Sequence, residues 1–197
     1  LQTLTHDAYL ALCAGAQVLE RDLHGDKVLR LANGDYLKLF RRKRLISSAA
    51  WYPYAQRFAD NAVALRQRGI PCPELVAVYR IPAVKRDAVL YHPLAGRTLR
   101  EIIAAGEESP DLRVRLDDFI ARLHSSGIYF RSLHLGNIVL TPSGELGLID
   151  IADMRVGSRP LRVHQRRRNL QHLQRDPRDR QWLAAAPGFL STLHGRS

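Results

Sequence analysis

The sequence predicts an α+β fold in two lobes: a small antiparallel-sheet lobe over residues 1–91, then a short helical lobe over residues 92–197. Three observations lead there. Short β-prone runs joined by turn signals dominate the first lobe, apolar residues at helical spacing take over after Gly96, and 197 residues suffice for two small lobes but hardly for more. Hydrophobic residues at 46% and charged residues at 25% are ordinary globular values, which excludes wholesale disorder and fibrous repeats.

The elements follow in order. Gln17–Glu20 and Lys27–Leu31 are β-prone runs separated by the turn His24-Gly25-Asp26, and Asn33-Gly34-Asp35 signals a hairpin into Tyr36-Leu37-Lys38-Leu39-Phe40. The basic stretch Arg41-Arg42-Lys43-Arg44 comes next. Ala55, Phe58, Ala62 and Leu65 then mark a helix over 54–68, which Gly69 ends and Pro71 and Pro73 keep from resuming. Two more strands are predicted at Glu74–Tyr79 and Ala88–Tyr91, with a turn at Pro93–Gly96. Thr98 has the chemistry of an N-cap for a helix from Leu99 to Ala105. Leu112, Leu116, Phe119, Ile120 and Leu123 form one amphipathic stripe over 112–125. An irregular segment over 129–137 leads into a hairpin, Ile138–Leu140 and Leu146–Asp150, and the Arg-rich tail is predicted helical over 164–174 and 178–185.

The unusual quantity is charge. Thirty Lys and Arg against 19 Asp and Glu give +11 at pH 7, a balance that attracts polyanions: nucleic acid, phosphorylated small molecules or an anionic membrane surface. No window has the length and apolarity of a membrane span, and no basic segment precedes an apolar stretch near the start, so neither insertion nor export is expected. Cys13 and Cys72 stand outside any C-x-x-C or Cys/His cluster, which argues against a disulfide framework or zinc knuckle and fits the cytoplasm.

Three positions suggest chemistry when taken together. Lys38 lies mid-strand, sharing a face with Tyr36 and Phe40. A helix ends at His124-Ser125-Ser126-Gly127-Ile128, and Phe130-Arg131-Ser132-Leu133-His134-Leu135-Gly136-Asn137 follows it. Asp150 sits where the closing strand Leu148-Ile149 leaves its hairpin. Each has an unremarkable reading on its own: a snorkelling lysine, a loop, a turn carboxylate.

In this order and spacing the motifs resemble the protein-kinase-like superfamily, and within it the lipopolysaccharide-core Kdo and heptose kinases with the related toluene-tolerance proteins. The resemblance covers residues 17–155. It implies a protein-kinase-like two-lobed fold and phosphoryl transfer from ATP with Mg²⁺. In that role Lys38 would hold the nucleotide phosphates, Asn137 and Asp150 would bind metal, and Tyr91 and His92 would offer hinge backbone groups to adenine. Such transfer depends more on charge neutralisation and positioning than on covalent help.

The departures carry equal weight. Ser132 occupies the place of the family's catalytic aspartate, and a hydroxyl is no effective base near neutral pH without a neighbouring group to activate it. Losing a general base costs roughly 10² to 10⁴ in rate. Asp60 and Asn61 are the nearest candidates for the helix glutamate that pairs with the lysine in many family members, and Asp60 is set about 100° off the needed face. His24-Gly25-Asp26 is no glycine-rich phosphate loop. His134 is no obvious substitute base, since family members that keep the aspartate often have a histidine there. Three functional readings stay open: a phosphotransferase with an alcohol acceptor, a nucleotide-binding pseudokinase that regulates or scaffolds an envelope process, and a basic nucleic-acid-binding module without catalysis.

Residues 159–180 hold Arg159, Arg162, Arg166, Arg167, Arg168, Arg175, Arg178 and Arg180 against only Asp176 and Asp179. This segment is either a solvated helix face or a docking surface for an anionic acceptor, such as a phosphorylated sugar or glycolipid, with peripheral contact at the cytoplasmic face of the inner membrane. Arg159, Arg162, Arg166, Arg167 and Arg168 are the docking candidates. Nucleic acid is disfavoured because Trp51, Tyr52 and Tyr54 cluster away from the arginines and no nucleic-acid-binding signature is present.

Overall fold

A computed structural model describes residues 1–42 and 52–185; Lys43, Arg44 and Trp51 lie outside the described residues. The fold is α+β. The chain groups into two compact units, Leu1–Val63 with Cys72–Pro93, and Ala64–Pro71 with Leu94–Ser197.

In the first unit, strands β1 (Gln2–Thr3), β2 (Gln17–Asp22), β3 (Gly25–Arg30), β4 (Tyr36–Arg41), β5 (Glu74–Ile81) and β6 (Arg86–His92) make one sheet in the order β1-β5-β6-β4-β3-β2. All neighbours are antiparallel except β1, which adds a short parallel edge beside β5. This strand and helix α1 (His6–Leu12), capped by Thr5, were not among the predicted elements. Two residues are too few to show alternation.

The β3–β4 turn is closed by Leu31 N–H donating to Asp35 O at 2.8 Å, with Gly34 at φ 91°, a conformation that favours glycine. Alternation along β4 sends Leu37 and Leu39 into a cluster with Leu29, Leu31, Ile81, Ala88 and Leu90. Leu4, Tyr9, Leu12 and Cys13 pack on that cluster, so α1 and its flanks cover this face of the sheet. The opposite face carries Tyr36, Lys38 and Phe40. There Phe40 stacks on Tyr54 of helix α2 (Tyr54–Gln67) at 6.3 Å between ring centroids, and Tyr91 packs on Phe58 at 5.1 Å.

In the second unit, β7 (Arg97–Thr98) runs into helix α3 (Leu99–Ala104), whose start is fixed by a capping box between Thr98 and Glu101. Helix α4 (Leu112–Ser125) buries Leu112, Leu116, Phe119, Ile120 and Leu123. Each such side chain contributes about 1.5–3 kcal/mol when fully removed from water, more than any difference in intrinsic helix propensity along the segment. Strands β8 (Ile128–Phe130), β9 (Ile138–Leu140), β10 (Leu146–Leu148) and β11 (Met154–Val156) form two ladders. In one, β9 lies between β10 and β7; in the other, β11 pairs antiparallel with β8. Helices α5 (Val163–Leu173) and α6 (Pro177–Ala184) follow. The β8–β11 ribbon replaces part of the irregular segment expected over 129–137. Its strands are three residues each, too short to read from periodicity.

Among the described residues no helix is long and apolar enough to cross a membrane.

Candidate functional site

The loop between β8 and β9 is tied by its own hydrogen bonds. Asn137 Nδ2 donates to Ser132 O at 2.9 Å, Asn137 N–H donates to His134 O at 2.9 Å, and Ile149 N–H donates to Asn137 O at 3.0 Å. The last bond sets Asp150 next to Asn137 along the chain exit of β10. Asp150 takes a left-handed backbone conformation, φ 54°, which a non-glycine residue adopts at some energetic cost and which aspartate tolerates better than most. Ser132 and Asn137 are thus hydrogen-bonded within the β8–β9 loop, and Asp150 follows the residue whose N–H Asn137 accepts.

Asp153 joins them, and the sequence reading did not single it out. Ser132 Oγ donates to Asp153 Oδ2 at 2.5 Å, a short contact of the kind made with an ionised acceptor. Burial pushes the Asp153 carboxyl above the ordinary aspartate range; the Ser132 bond opposes this, and the negative charge of Asp150 adds to it. Asp153 Oδ1 is buried without a hydrogen-bond partner. No motif marks it in the sequence: Asp153 closes the 3₁₀ turn 151–153 after Asp150, and its bond to Ser132 spans 21 residues.

A second anchor holds the loop from outside. Arg100 of α3 grips Asp179 of α6 through Nε to Oδ1 at 3.0 Å and Nη2 to Oδ2 at 2.8 Å, and Leu135 N–H donates to the same Asp179 Oδ2 at 2.9 Å. A Cβ on Gly136 would lie 2.9 Å from Arg100 Nη1, so the guanidinium crosses where only glycine leaves room. Burial, with the nearby Arg100 charge, pulls the His134 imidazole below its ordinary range. At neutral pH the ring is uncharged, and its Nδ1 is buried without a partner.

A third anchor comes from α5. Asn169 is fully buried, accepts through its Oδ1 from His124 Nε2–H at 3.1 Å, and donates from Nδ2 to Phe130 O at 2.6 Å. The histidine of the H-x-x-G-I motif therefore braces the strand leading to Ser132 and stays away from chemistry.

Mg²⁺ takes hard oxygen ligands and is commonly held by one or two carboxylates together with substrate phosphates. The Asp150 carboxylate fits this, as does Asn137, whose amide nitrogen is spent on Ser132 O and whose Oδ1 is left to face elsewhere. Among the described residues no group of three or more His, Cys, Asp or Glu side chains is arranged to hold a metal without such phosphates.

No family model and no curated protein matches the chain. Solved structures of WbdD resemble it in part. One is described as the bifunctional kinase-methyltransferase WbdD, with 19% identity over 62% of this chain and a TM-score of 0.44. Another is monomeric WbdD, with 16% identity over 82% of this chain and a TM-score of 0.46. The chain spans 28% and 38% of the length of those two solved chains. Likeness at this level carries no information about substrate.

Lys38, Tyr91 and His92 belong to the first unit. Lys38 is half-buried on the face that carries Phe40, whose ring centroid is 5.9 Å from its Nζ. Tyr91 is registered between Tyr36 and Leu75, and the His92 ring is paired through Nδ1 with the buried Asp35. Asp60 accepts from Tyr52 Oη at 2.6 Å and from Gln56 at 2.9 Å, which commits it to the outer side of its own helix; Asn61 is buried.

The five docking arginines divide. Arg159, Arg162 and Arg168 line one cavity, Arg166 Nε instead donates to Leu161 O at 2.8 Å, and Arg167 is exposed outside the lining.

Proposed function

We propose that the chain is an ATP-dependent phosphotransferase that moves a phosphoryl group onto an alcohol of an anionic, phosphorylated sugar or glycolipid of the lipopolysaccharide-core kind. The observation that carries this reading is the Ser132–Asp153 hydrogen bond, which ties the β8–β9 loop that holds Asn137 to the turn after β10 that begins at Asp150. Ser132 lacks basicity, but a carboxylate on its Oγ supplies the missing acceptor. An acceptor hydroxyl placed on Ser132 Oγ passes its proton there as the serine passes its own to Asp153 Oδ2, leaving the acceptor oxygen free to form the P–O bond. The bond from phosphorus to the ADP oxygen breaks.

Asp150 and Asn137 would hold Mg²⁺, which when bound neutralises phosphate charge. Lys38 would pair with the nucleotide phosphates, and the backbone at Tyr91 and His92 would meet adenine. Arg159, Arg162 and Arg168 would receive the acceptor's negative charge.

The test is transfer of labelled γ-phosphate to isolated lipopolysaccharide core, with Lys38→Met and Asp150→Asn as comparisons. Transfer that either substitution abolishes supports the enzyme. Absence of any thermal stabilisation by Mg-ATP, with Asp150→Asn changing nothing, removes nucleotide binding altogether. The pseudokinase reading is favoured by one observation, the serine at the aspartate position, and predicts Mg-ATP binding without transfer.

A further inference from the structure

The β8–β11 ribbon, the chain after it and the first turns of α5 border an open, solvent-facing cavity of about 550 Å³. Small-molecule sites run from about 300 to 1,000 Å³, so the space suits a ligand the size of a phosphorylated sugar. Its lining includes Arg155, Arg159, Arg162 and Arg168, together with Tyr129 and His164, and contains no aspartate or glutamate.

The charge is uncompensated. Among the described residues none of those four guanidinia takes part in an ion pair. Elsewhere in the same unit four acids pair with other arginines: Asp179 and Asp176 with Arg100, Glu107 with Arg97, Asp111 with Arg115. Four exposed guanidinia without a carboxylate partner line one concavity, and guanidinium is the side chain best matched to a phosphate, through paired N–H donors. The start of α5 forms part of the wall through Arg162, His164 and Gln165, and the exposed N–H groups of a helix N-terminus add to the attraction for negative charge.

Arg155 was outside the docking group expected from the tail, because it lies in β11 and reaches the cavity only through the pairing of that strand with β8, where it is registered opposite Tyr129. Asp153 immediately precedes β11, so the cavity and the Ser132–Asp153 pair are built on the same ribbon.

We infer that this cavity is a binding site for a phosphate monoester, in which Arg155, Arg159, Arg162 and Arg168 grip the phosphate. As the anchoring site for the acceptor it rests on the phosphotransferase reading, but binding itself requires neither ATP nor transfer.

The experiment is titration of the full chain, without ATP or Mg²⁺, with glucose 6-phosphate, with glucose, and with neutral vesicles containing or lacking phosphatidic acid. The variants are the double substitution Arg155→Ala with Arg168→Ala, and Arg66→Ala, an exposed arginine of the same unit outside the lining. Saturable binding of glucose 6-phosphate but not glucose, weakened at least tenfold by the double variant and unchanged by Arg66→Ala, supports a site for a free sugar phosphate. The same pattern seen only with phosphatidic acid vesicles supports a lipid phosphate as the source. No binding of either probe, or equal weakening by the double variant and by Arg66→Ala, overturns the site. Tighter binding of a single-stranded oligonucleotide than of both probes, weakened equally by the two variants, also overturns it and reduces the cavity to part of a diffuse basic surface. Loss of γ-phosphate transfer with phosphate binding intact counts against the phosphotransferase alone.

Discussion

Arg100 and Asp179 form a two-pronged ion pair, Nε to Oδ1 at 3.0 Å and Nη2 to Oδ2 at 2.8 Å, although they lie 79 residues apart. Asp179 is 2% exposed and also receives the Leu135 N–H. The pair therefore joins α3, α6 and the loop carrying Ser132 and Asn137. Removing Asp179 leaves Arg100, which is 29% exposed and also paired with Asp176, partly compensated, but leaves the Leu135 N–H buried without an acceptor, at a cost of about 1–3 kcal/mol.

Asp179→Ala is thus expected to lower stability by about 1–3 kcal/mol in urea unfolding, because it leaves the buried Leu135 N–H without an acceptor and reduces the ion pairing of Arg100 to Asp176. A midpoint within experimental error of wild type would show that the pair does not hold the loop.

Asp153→Asn keeps the shape of the side chain but removes its capacity to accept a proton. The expected effect is a fall of roughly 10² to 10⁴ in transfer rate with little change in the Mg-ATP concentration needed for half-saturation. A rate unchanged in this variant would remove Asp153 from the proton path.

Ser132→Asp alone sets a second carboxylate against Asp153, and two such groups at that separation cannot both ionise readily. The exchanged pair, Ser132→Asp with Asp153→Ser, places a carboxylate at position 132 with a hydroxyl beside it. The exchanged pair is expected to transfer phosphate faster than either single substitution. If it were slower than Ser132→Asp, Asp153 would have a role beyond accepting the Ser132 proton.

Burial holds His124, His134 and His172 below the ordinary histidine range, with nearby arginines adding to the effect at each. The folded protein keeps these rings neutral, whereas the unfolded chain takes up protons near pH 6.5. Their contribution to stability is present above that pH and is lost as pH falls through it toward the lower folded values, by up to about 1.4 kcal/mol per pH unit for each proton. Asp153, held above its ordinary range, contributes in the opposite sense, favouring the folded form as pH falls toward the unfolded aspartate value of about 4. Tm should fall between pH 7.5 and 5.5, and His124→Gln should flatten that fall. A Tm that rose on acidification over this interval would contradict the assignment.

Gly127 sits at φ 72°, and a Cβ there would meet Arg159 O at 2.5 Å and Gly157 O at 2.7 Å. The left-handed conformation alone costs a non-glycine residue about 1–2 kcal/mol, and the backbone contacts add to it. Gly127→Ala is expected to lower the unfolding midpoint accordingly, and to disturb the arginine cavity, which Gly127 and Gly157 both line.

The sequence determined the elements whose signal is local. The stripe from Leu112 to Leu123 specifies α4, Thr98 with Glu101 sets the start of α3, Asn33-Gly34-Asp35 makes the turn before β4, and alternation puts Lys38 with Tyr36 and Phe40. It also put Ser132 and Asn137 in the segment before the β9–β10 hairpin and Asp150 at the exit from it, because the hairpin is legible from its turn and its apolar runs. What only the tertiary structure decided depends on pairs distant in sequence or on strands too short for periodicity. Asp153 reaches Ser132 through a single 3₁₀ turn, Asp179 meets Leu135 across 44 residues, and Asn169 meets Phe130 across 39. Arg155 joins the arginines of the tail because a three-residue strand pairs with another. Charge composition announced an attraction for anions; which guanidinia surround one cavity, and which are spent on carboxylates or on a backbone carbonyl, is decided by packing, since a side chain's partner depends on where the chain returns.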